Sequence, residues 1–366
     1  MEPTAPAHSQ RQFPCKQCGA NLVFEPGTTA LTCQYCGTRN DIAPLAEVIE
    51  ELDFQEHAAQ LAASTETQET LTVRCNACGA ETDFTHDVAA SRCPFCGAAI
   101  VATASSRKQI KPRSLLPFHI TRQQADDLFR RWVEGLWFAP NDLVRVAQRS
   151  GIDGAYVPAW TYDSRTTSDY RGERGDDYWD TQTYTAIENG RSVTRTRQVR
   201  RTRWRHASGR VSNTFDDVLV LASRSLPPKH AHALEPWDLR SLVPYRDEYL
   251  SGFAADSYQV DLVQGFEAAK QIMAGVIEQT IRADIGGDHQ RIHSVQTRYR
   301  DVTFKHILLP VWISAYRYHE RVFRFLVNAR TGEVQGERPW SAVKIALLVT
   351  FLVAVALAVL WFSQQR

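Results

Sequence analysis

The residues best suited to chemistry are eight cysteines, which fall into four Cys-x-x-Cys pairs. A spacing of two residues lets both thiolates of a turn reach one metal ion, at about 2.3 Å for zinc. A glycine follows the second cysteine of every pair, which suits a tight turn. The pairs form two sets with fourteen residues between their inner cysteines: Cys15, Cys18, Cys33 and Cys36, then Cys75, Cys78, Cys93 and Cys96.

This spacing predicts two structural Zn²⁺ sites. Four sulfur ligands close a tetrahedron and leave no position for water, so such a site is structural and not catalytic. Disulfides and redox-active pairs are the alternatives. The polar residues 1–13 lack the apolar core of a signal peptide, so we expect a reducing compartment, where closely paired thiols bind metal more often than they form disulfides.

The two sets are offset by sixty residues, which indicates an internal duplication. We predict a first zinc ribbon in residues 1–42 and a second in residues 71–104. Residues 43–70 between them read as an amphipathic helix over Pro44–Ala63, with Leu45, Val48, Ile49 and Leu52 on one stripe, followed by a polar linker over Ser64–Thr70. A ribbon this small needs metal in order to fold.

The charge is distributed unevenly along the chain. Residues 1–104 contain five Lys or Arg against thirteen Asp or Glu, whereas the remainder carries a balance of +9. Nucleic-acid binding depends on cations near phosphates, so the acidic ribbon region argues against nucleic acid as its partner.

An apolar segment near the C-terminus predicts a transmembrane helix over residues 343–362. Ile345–Phe362 contains no charge and spans about 27 Å as a helix, which suits a hydrocarbon core of about 30 Å when Lys344 snorkels. A buried core helix is the alternative. Trp340 and Trp361 lie where interfacial aromatic residues are expected. The basic residues upstream and the reduced thiols place the N-terminal domains in the cytoplasm, with a single-pass tail anchor.

Residues 107–338 are predicted to form a strand-rich α+β domain, so the fold class is α+β. One helix should begin at Thr121, with Gln124 completing a capping box and an apolar stripe at Ala125, Leu128, Phe129, Trp132 and Leu136. A second should cover Val263–Arg282 and bury Phe266, Ala269, Ile272, Met273, Val276 and Ile281. Phe304–Tyr318 and Arg321–Val327 read as a hairpin.

An arginine-rich segment, residues 194–210, could contact an anionic partner. On a strand, five arginines would share one face with Trp204 opposite: Arg195, Arg197, Arg201, Arg203 and Arg205. Such a row could bind lipid headgroups, nucleic acid or an acidic protein. The alternative is a solvated edge strand, or pairing with Glu173, Asp176, Asp177 and Asp216.

No catalytic signature is recognisable. His289 and His293 would share a face on a helix, but the glutamate of a zinc-protease motif is missing. The phosphate loop, the dinucleotide fingerprint and the nucleophile elbow are also missing. We therefore expect a protein that is not an enzyme.

Several segments, together with the paired ribbons, resemble a bacterial family of zinc-ribbon membrane proteins. They are LWFAP (136–140), GAYVPAWTYD (154–163), IGGDHQRI (285–292), LLPVWISAYRY (308–318) and VNARTGEVQGERPWSAVKI (327–345). Members are often labelled primosomal protein N-prime, a superfamily II helicase. The family is also similar to zinc-ribbon partners of flotillin-like (band 7) proteins, which work with phage-shock-type membrane-stress proteins.

The resemblance implies an adaptor on the cytoplasmic face of the bacterial inner membrane, with the lipid bilayer and flotillin-like or phage-shock-type proteins as partners. The helicase label does not fit, because unwinding requires a phosphate-binding loop with its lysine and an acidic magnesium motif. The alternative is a nucleic-acid-binding accessory protein of replication or transcription that lacks motor motifs.

Overall fold

The structure, a computed structural model, describes residues 13–43, 49–63, 68–75, 78, 80–83, 90–101, 104–143, 145, 151–188, 191–318 and 321–364. Helices and strands are both present and strands predominate, so the strand-rich α+β prediction is confirmed.

The first cysteine module (residues 13–42) is a small antiparallel sheet whose turns carry the cysteines. Its strands are β1 (Val23–Phe24), β2 (Ala30–Thr32) and β3 (Arg39–Asp41), in that order. Strands this short bury little apolar surface, so the module must gain stability from its neighbours or from a bound metal.

The segment after the first module differs from the predicted helix over Pro44–Ala63. Residues 44–48 lie outside the described residues, and Leu52 belongs to a strand, β4 (Leu52–Asp53). The helix α1 covers Phe54–Ala63. It begins there because the Asp53 carboxylate accepts a hydrogen bond from the backbone N–H of Glu56 (2.8 Å), as an N-cap does.

The second cysteine module (residues 68–109) contains a three-stranded sheet and a hairpin. Its strands are β5 (Gln68–Arg74), β6 (Glu81–Asp83), β7 (Ala90–Arg92), β8 (Ala99–Val101) and β9 (Ala104–Gln109). β5 pairs with β6 and β9, and β7 pairs with β8. Residues 68–70, expected in the linker, therefore begin β5, while residues 64–67 lie outside the described part of the chain.

The elements that follow build one large sheet and the helices around it. They are β10 (Ser114–Leu115), α2 (Arg122–Glu134), β11 (Asp153–Glu188), β12 (Arg191–Leu221), α3 (Pro228–His232), β13 (Val243–Pro244), β14 (Ala254–Ala255), α4 (Leu262–Ile285), β15 (His289–Tyr318), β16 (Arg321–Asn328), β17 (Val334–Gly336) and α5 (Ala342–Gln364). Short 3₁₀ turns cover Leu239–Ser241 and Asp247–Leu250.

Three long antiparallel strands form the centre of this sheet, in the order β12-β11-β15. β11 alone has 36 residues, far more than the usual five or six. The predicted hairpin is confirmed as β15 paired with β16, although β15 begins 15 residues before the expected start at Phe304.

Two bulges interrupt the long strands at the level of Asp163. Asp217 on β12 and Asp301 on β15 have positive φ angles of 52° and 49°, and the pairing register shifts beside each of them. A bulge increases the local twist of its strand, so this pair lets strands of unusual length coil instead of lying flat.

Helix α4 covers one face of the long strands. The Asp261 side chain caps it, and Tyr162 on β11 donates a hydrogen bond to the carbonyl of Leu262 (2.7 Å). Residues about one turn apart are buried against the sheet, including Phe266, Ala269, Met273, Ile277 and Ile281. The prediction was wrong for Ile272 and Val276, which are 46% and 44% exposed because the sheet covers only one side of the helix.

Helix α2 begins as predicted. Thr121 and Gln124 form both hydrogen bonds of a capping box. Phe129, on the buried face, stacks on Phe325 of β16 with 3.8 Å between ring centroids, which fixes the helix to the end of the sheet.

The two cysteine modules lie on opposite faces of the sheet. Tyr156 on β11 and Trp312 on β15 share a core with the first module, whereas their neighbours Ala155 and Val311 share a core with the second. Since successive side chains of a strand point to opposite faces, both modules use the same short length of sheet.

Beyond Gly175, which pairs with His289, β11 and β12 continue as a lone hairpin within the described part of the chain. We call residues 176–188 and 191–203 the arm. Thirteen residues per strand give it a length of roughly 40 Å.

Helix α5 is long and apolar enough to cross a membrane. It has 23 residues and a mean hydropathy of 2.9, and none of its most apolar window is buried against the protein. A core helix of a soluble protein would be mostly buried, so this exposure does not fit that alternative.

Candidate metal centres

Three of the cysteine turns share one backbone geometry. In the first turn the N–H of Cys15 donates to the carbonyl of Ala20 (2.7 Å), and the N–H of Gly19 donates to the carbonyl of Cys15 (2.9 Å). The turns that begin at Cys33 and Cys93 make the equivalent pair of bonds. Gly19, Gly37 and Gly97 have φ angles near 70°, a conformation that favours glycine, which explains the glycine after the second cysteine.

The sulfur atoms of each set stand at distances that fit a tetrahedral ion. Cys15 Sγ lies 3.6 Å from Cys36 Sγ, and Cys18 Sγ lies 3.5 Å from Cys33 Sγ. In the second set the Cys75–Cys96 and Cys78–Cys93 sulfurs are both 3.6 Å apart. Zinc–sulfur bonds of about 2.3 Å would place tetrahedral ligands ~3.8 Å apart, whereas a disulfide requires about 2.05 Å. Each set could therefore bind one metal ion, and all eight cysteines are free thiols.

Neighbouring hydrogen-bond donors favour the thiolate form of two cysteines of the first module, Cys15 and Cys36. The backbone N–H groups of Cys18 and Gln17 lower the pKa of Cys15, and the Gln17 N–H lies 3.4 Å from the sulfur. Thr38 lowers the pKa of Cys36 to about 6, first through its hydroxyl and then through its backbone. Since the thiolate is the form that ligates metal, these donors prepare the site for a cation.

The two clusters differ in their access to solvent. Cys18 and Cys36 are exposed, and Tyr35 between the second pair of the first module is 84% exposed. In the second module Cys75, Cys93 and Cys96 are buried and Cys78 is half-buried. That cluster lies in a core with Phe95, Leu226 and Val311, so the sheet shields it.

Backbone contacts hold both modules to the body. In the first module, the N–H of Phe24 donates to the carbonyl of Ser251 (3.0 Å), and the N–H of Gly27 donates to that of Phe118 (2.9 Å). In the second, the N–H of Ser257 donates to the carbonyl of Glu81 (2.8 Å). The clusters are therefore parts of a fixed architecture.

Besides the two cysteine clusters, a group of three carboxylates lies beside the bulges. Sequence reasoning missed this group. Carboxylate oxygens of Glu51, Asp163 and Asp216 lie within 4.8 Å of one another. Burial, and then the hydrogen bond with Glu51, raises the pKa of Asp163 to about 6. The ammonium of Lys305 lies 3.2 Å from Glu51 and 2.7 Å from Asp217, so the group already contains a cation and we assign no metal there.

The arginine row has the predicted geometry. Arg195, Arg197, Arg201, Arg203 and Arg205 occupy alternate positions of β12 without a register shift, so they share one face, with Trp204 on the other. β12 is an edge strand, as the alternative expected.

Several of these arginines have partners along the arm and its base. Arg201 pairs with Asp180 (2.9 Å) and Arg205 with Asp176 (3.8 Å). The guanidinium of Arg203 lies 4.9 Å from the ring centroid of Tyr178, and that of Arg197 lies 5.6 Å from Tyr184. Two of the four acidic partners expected pair with arginines outside this row: Asp177 with Arg200, and Glu173 with Arg291.

The two histidines considered as metal ligands lie on strand β15 and not on a helix. His289 contacts Asp177 (3.1 Å) and His293 lies 3.7 Å from Glu173. Each histidine therefore faces a different carboxylate, and the structure does not bring the two together as a metal site among the described residues.

The chain is similar over most of its length to a bacterial protein. It is 24% identical over 335 residues to a protein described as uncharacterized, YdjG of Bacillus subtilis (strain 168), and the match covers 91% of this chain and 92% of that one. The similarity therefore extends well beyond the cysteine modules. No family model matches the chain. No solved structure matches it.

Proposed function

We propose that this protein is a non-enzymatic adaptor, anchored in the bacterial inner membrane by α5, that holds two structural Zn²⁺ ions in its cysteine modules. One observation carries the proposal: both four-cysteine clusters share cores with the same sheet, and the chain continues into an apolar helix with no buried residue. A closed four-sulfur site has no open position for substrate, so its role is structural.

The modules and the arm face the cytoplasm in this proposal, because the eight thiols must stay reduced in order to hold zinc. Confinement next to the bilayer raises the effective concentration toward other membrane-bound proteins. Flotillin-like or phage-shock-type proteins are the partners that the family resemblance suggests. The opposite charges of the N-terminal region and the remainder suit selection of partners by charge.

Metal analysis and crosslinking together test this function. The purified protein should contain two zinc ions per chain, one for each cluster. Crosslinking in native membranes should recover a band 7 or phage-shock-type protein, and Cys36→Ser or Cys78→Ser should weaken that capture. Truncation after Pro339 should release the protein from membranes. Recovery of replisome or ribosomal components from membranes washed free of nucleic acid would contradict the proposal.

Nucleic-acid binding is the second candidate function, and the arginine face of the arm is the observation that favours it. Ion pairs with Asp176 and Asp180 already neutralise part of that face, so we rank this candidate lower. Salt-sensitive binding of DNA or RNA by the full-length protein in detergent, lost on Arg197→Ala, Arg201→Ala and Arg203→Ala together, would reverse the ranking.

A further inference from the structure

An exposed aromatic loop lies beside the start of helix α5. Trp137, in the loop of residues 136–140 that follows α2, is 83% exposed, more than any other tryptophan that the structure describes. Trp340, just before α5, is 59% exposed. Single exposed apolar residues are common on proteins, but two large indole rings at one place call for a physical explanation.

Hydrogen bonds fix this loop at the level of the first turn of the helix. The backbone N–H of Ser341 donates to the carbonyl of Phe138 (2.7 Å). The ammonium of Lys344 donates to the carbonyl of Ala139 (2.7 Å). The loop and the helix start therefore move as one unit.

The aromatic rings continue from the loop to the helix. The ring centroids of Trp137 and Phe138 are 6.3 Å apart, and those of Phe138 and Trp340 are 6.2 Å apart. The guanidinium of Arg338 lies 4.4 Å from the centroid of Trp340. Apolar rings with adjacent cations match the chemistry of the zone between water and lipid tails, where indoles and basic side chains are enriched.

The length of the apolar segment determines where the bilayer surface must lie. Ile345–Phe362 spans only about 27 Å, slightly less than a hydrocarbon core of about 30 Å. Because the apolar segment has no excess length, it cannot extend beyond the bilayer surface. The membrane–water interface must therefore lie near residues 340–344. Trp137 and Phe138 are held at that same level.

We propose that the loop of residues 136–140 is a second membrane contact, in which the Trp137 indole inserts among the lipid headgroups of the leaflet that α5 enters. This inference rests on the proposed membrane anchor. With two contacts, the body cannot turn freely about the helix axis. β11 begins near this end of the sheet and ends at the tip of the arm, so the arm would have a defined direction relative to the membrane.

Quenching of tryptophan fluorescence by brominated lipid tests the loop contact. The full-length protein is placed in phosphatidylcholine–phosphatidylglycerol vesicles with and without brominated acyl chains, and Trp137→Phe is compared with the wild type. Trp179→Phe is the matched control, because Trp179 is 68% exposed but lies on the arm. The amount of emission lost to the brominated lipid should be smaller by roughly a third in Trp137→Phe, since one of three interfacial indoles is removed. The amount lost should not change in Trp179→Phe.

The outcomes separate this inference from the proposed anchor. If Trp137 remains in water, Trp137→Phe will leave lipid quenching unchanged and will reduce quenching by aqueous acrylamide instead, which overturns the inference while the protein still floats with the vesicles. If the protein neither floats with vesicles nor shows lipid quenching from any tryptophan, the anchor itself is wrong and the inference falls with it.

Discussion

Ala155 and Tyr156 are adjacent on β11, yet Ala155 packs in the core of the second cysteine module and Tyr156 packs in the core of the first. The two cysteine modules thus pack on opposite faces of a single sheet. Loss of metal from either side should therefore disturb the same length of β11 and β15, and the modules should depend on each other for stability.

The difference in exposure of the two clusters predicts two rates of zinc loss. Cys18 and Cys36 are exposed, so a coloured chelator should remove zinc from the first module in a fast phase. The buried sulfurs of the second module should release zinc only when the core opens locally, in a slow phase. Cys18→Ser should remove the fast phase and leave one phase of release, from the second module. A single phase of release in the wild type would contradict this prediction.

Buried His306 predicts a loss of stability at acidic pH. Its Nδ1 lies 2.9 Å from the carbonyl of Ile110, and its Nε2 has no partner within the described residues, so a second proton would be buried without an acceptor. Burial lowers the pKa of His306 to about 4 from an ordinary 6.5. The unfolded chain therefore binds more protons between these values, and stability falls as pH decreases from 6.5 to 4, by about 3 kcal/mol at most.

His306→Asn provides the control for this pH dependence, because the amide can still donate to Ile110 but does not titrate. Thermal unfolding in detergent at pH 7.5 and pH 5.0 should show a smaller acid-induced decrease in the variant than in the wild type. Zinc loss at low pH affects both proteins and cancels in the comparison. Equal decreases would show that His306 does not determine this part of the pH profile.

Two glycines of α4 should respond in opposite ways to substitution by alanine. A Cβ at Gly275 meets nothing within 4 Å, so Gly275→Ala should stabilise the helix by about 1 kcal/mol. A Cβ at Gly265 would overlap the hydroxyl of Tyr162 and lie 2.8 Å from Trp160, so Gly265→Ala should destabilise the protein by about 1–3 kcal/mol. Unfolding followed by circular dichroism measures both, and stabilisation by Gly265→Ala would show that α4 does not pack this closely on β11.

Removal of most of the arm should leave the body intact. No residue of the arm belongs to the hydrophobic cores of the described structure. Replacing residues 179–200 with Asn-Gly between the paired residues Tyr178 and Arg201 should form a two-residue hairpin turn. Zinc content should not change and the unfolding temperature should shift by only a few degrees, about 3 °C at most. Loss of zinc or a larger shift would mean that the arm supports the fold.

The sequence alone determined the features that depend on local chemistry. The Cys-x-x-Cys spacing specified both four-sulfur clusters, because the ligands of one turn lie within a few residues of each other. Thr121 and Gln124 specified the start of α2, since a capping box is a contact between residues three positions apart. The apolar run from Ile345 to Phe362 specified a long helix that the body does not cover.

Only the tertiary structure decided the features that depend on pairing between distant residues. The length of β11, the bulges at Asp217 and Asp301 and the arm beyond Gly175 follow from strand register, which couples residues up to about 160 positions apart. The exposure of Ile272 depends on which side of its helix the sheet covers. The helix α1 begins only at Phe54 because Leu52 and Asp53 pair with the distant strand β15. Periodicity identifies which side chains could be buried, but burial requires a surface that covers them, and distant parts of the chain supply that surface.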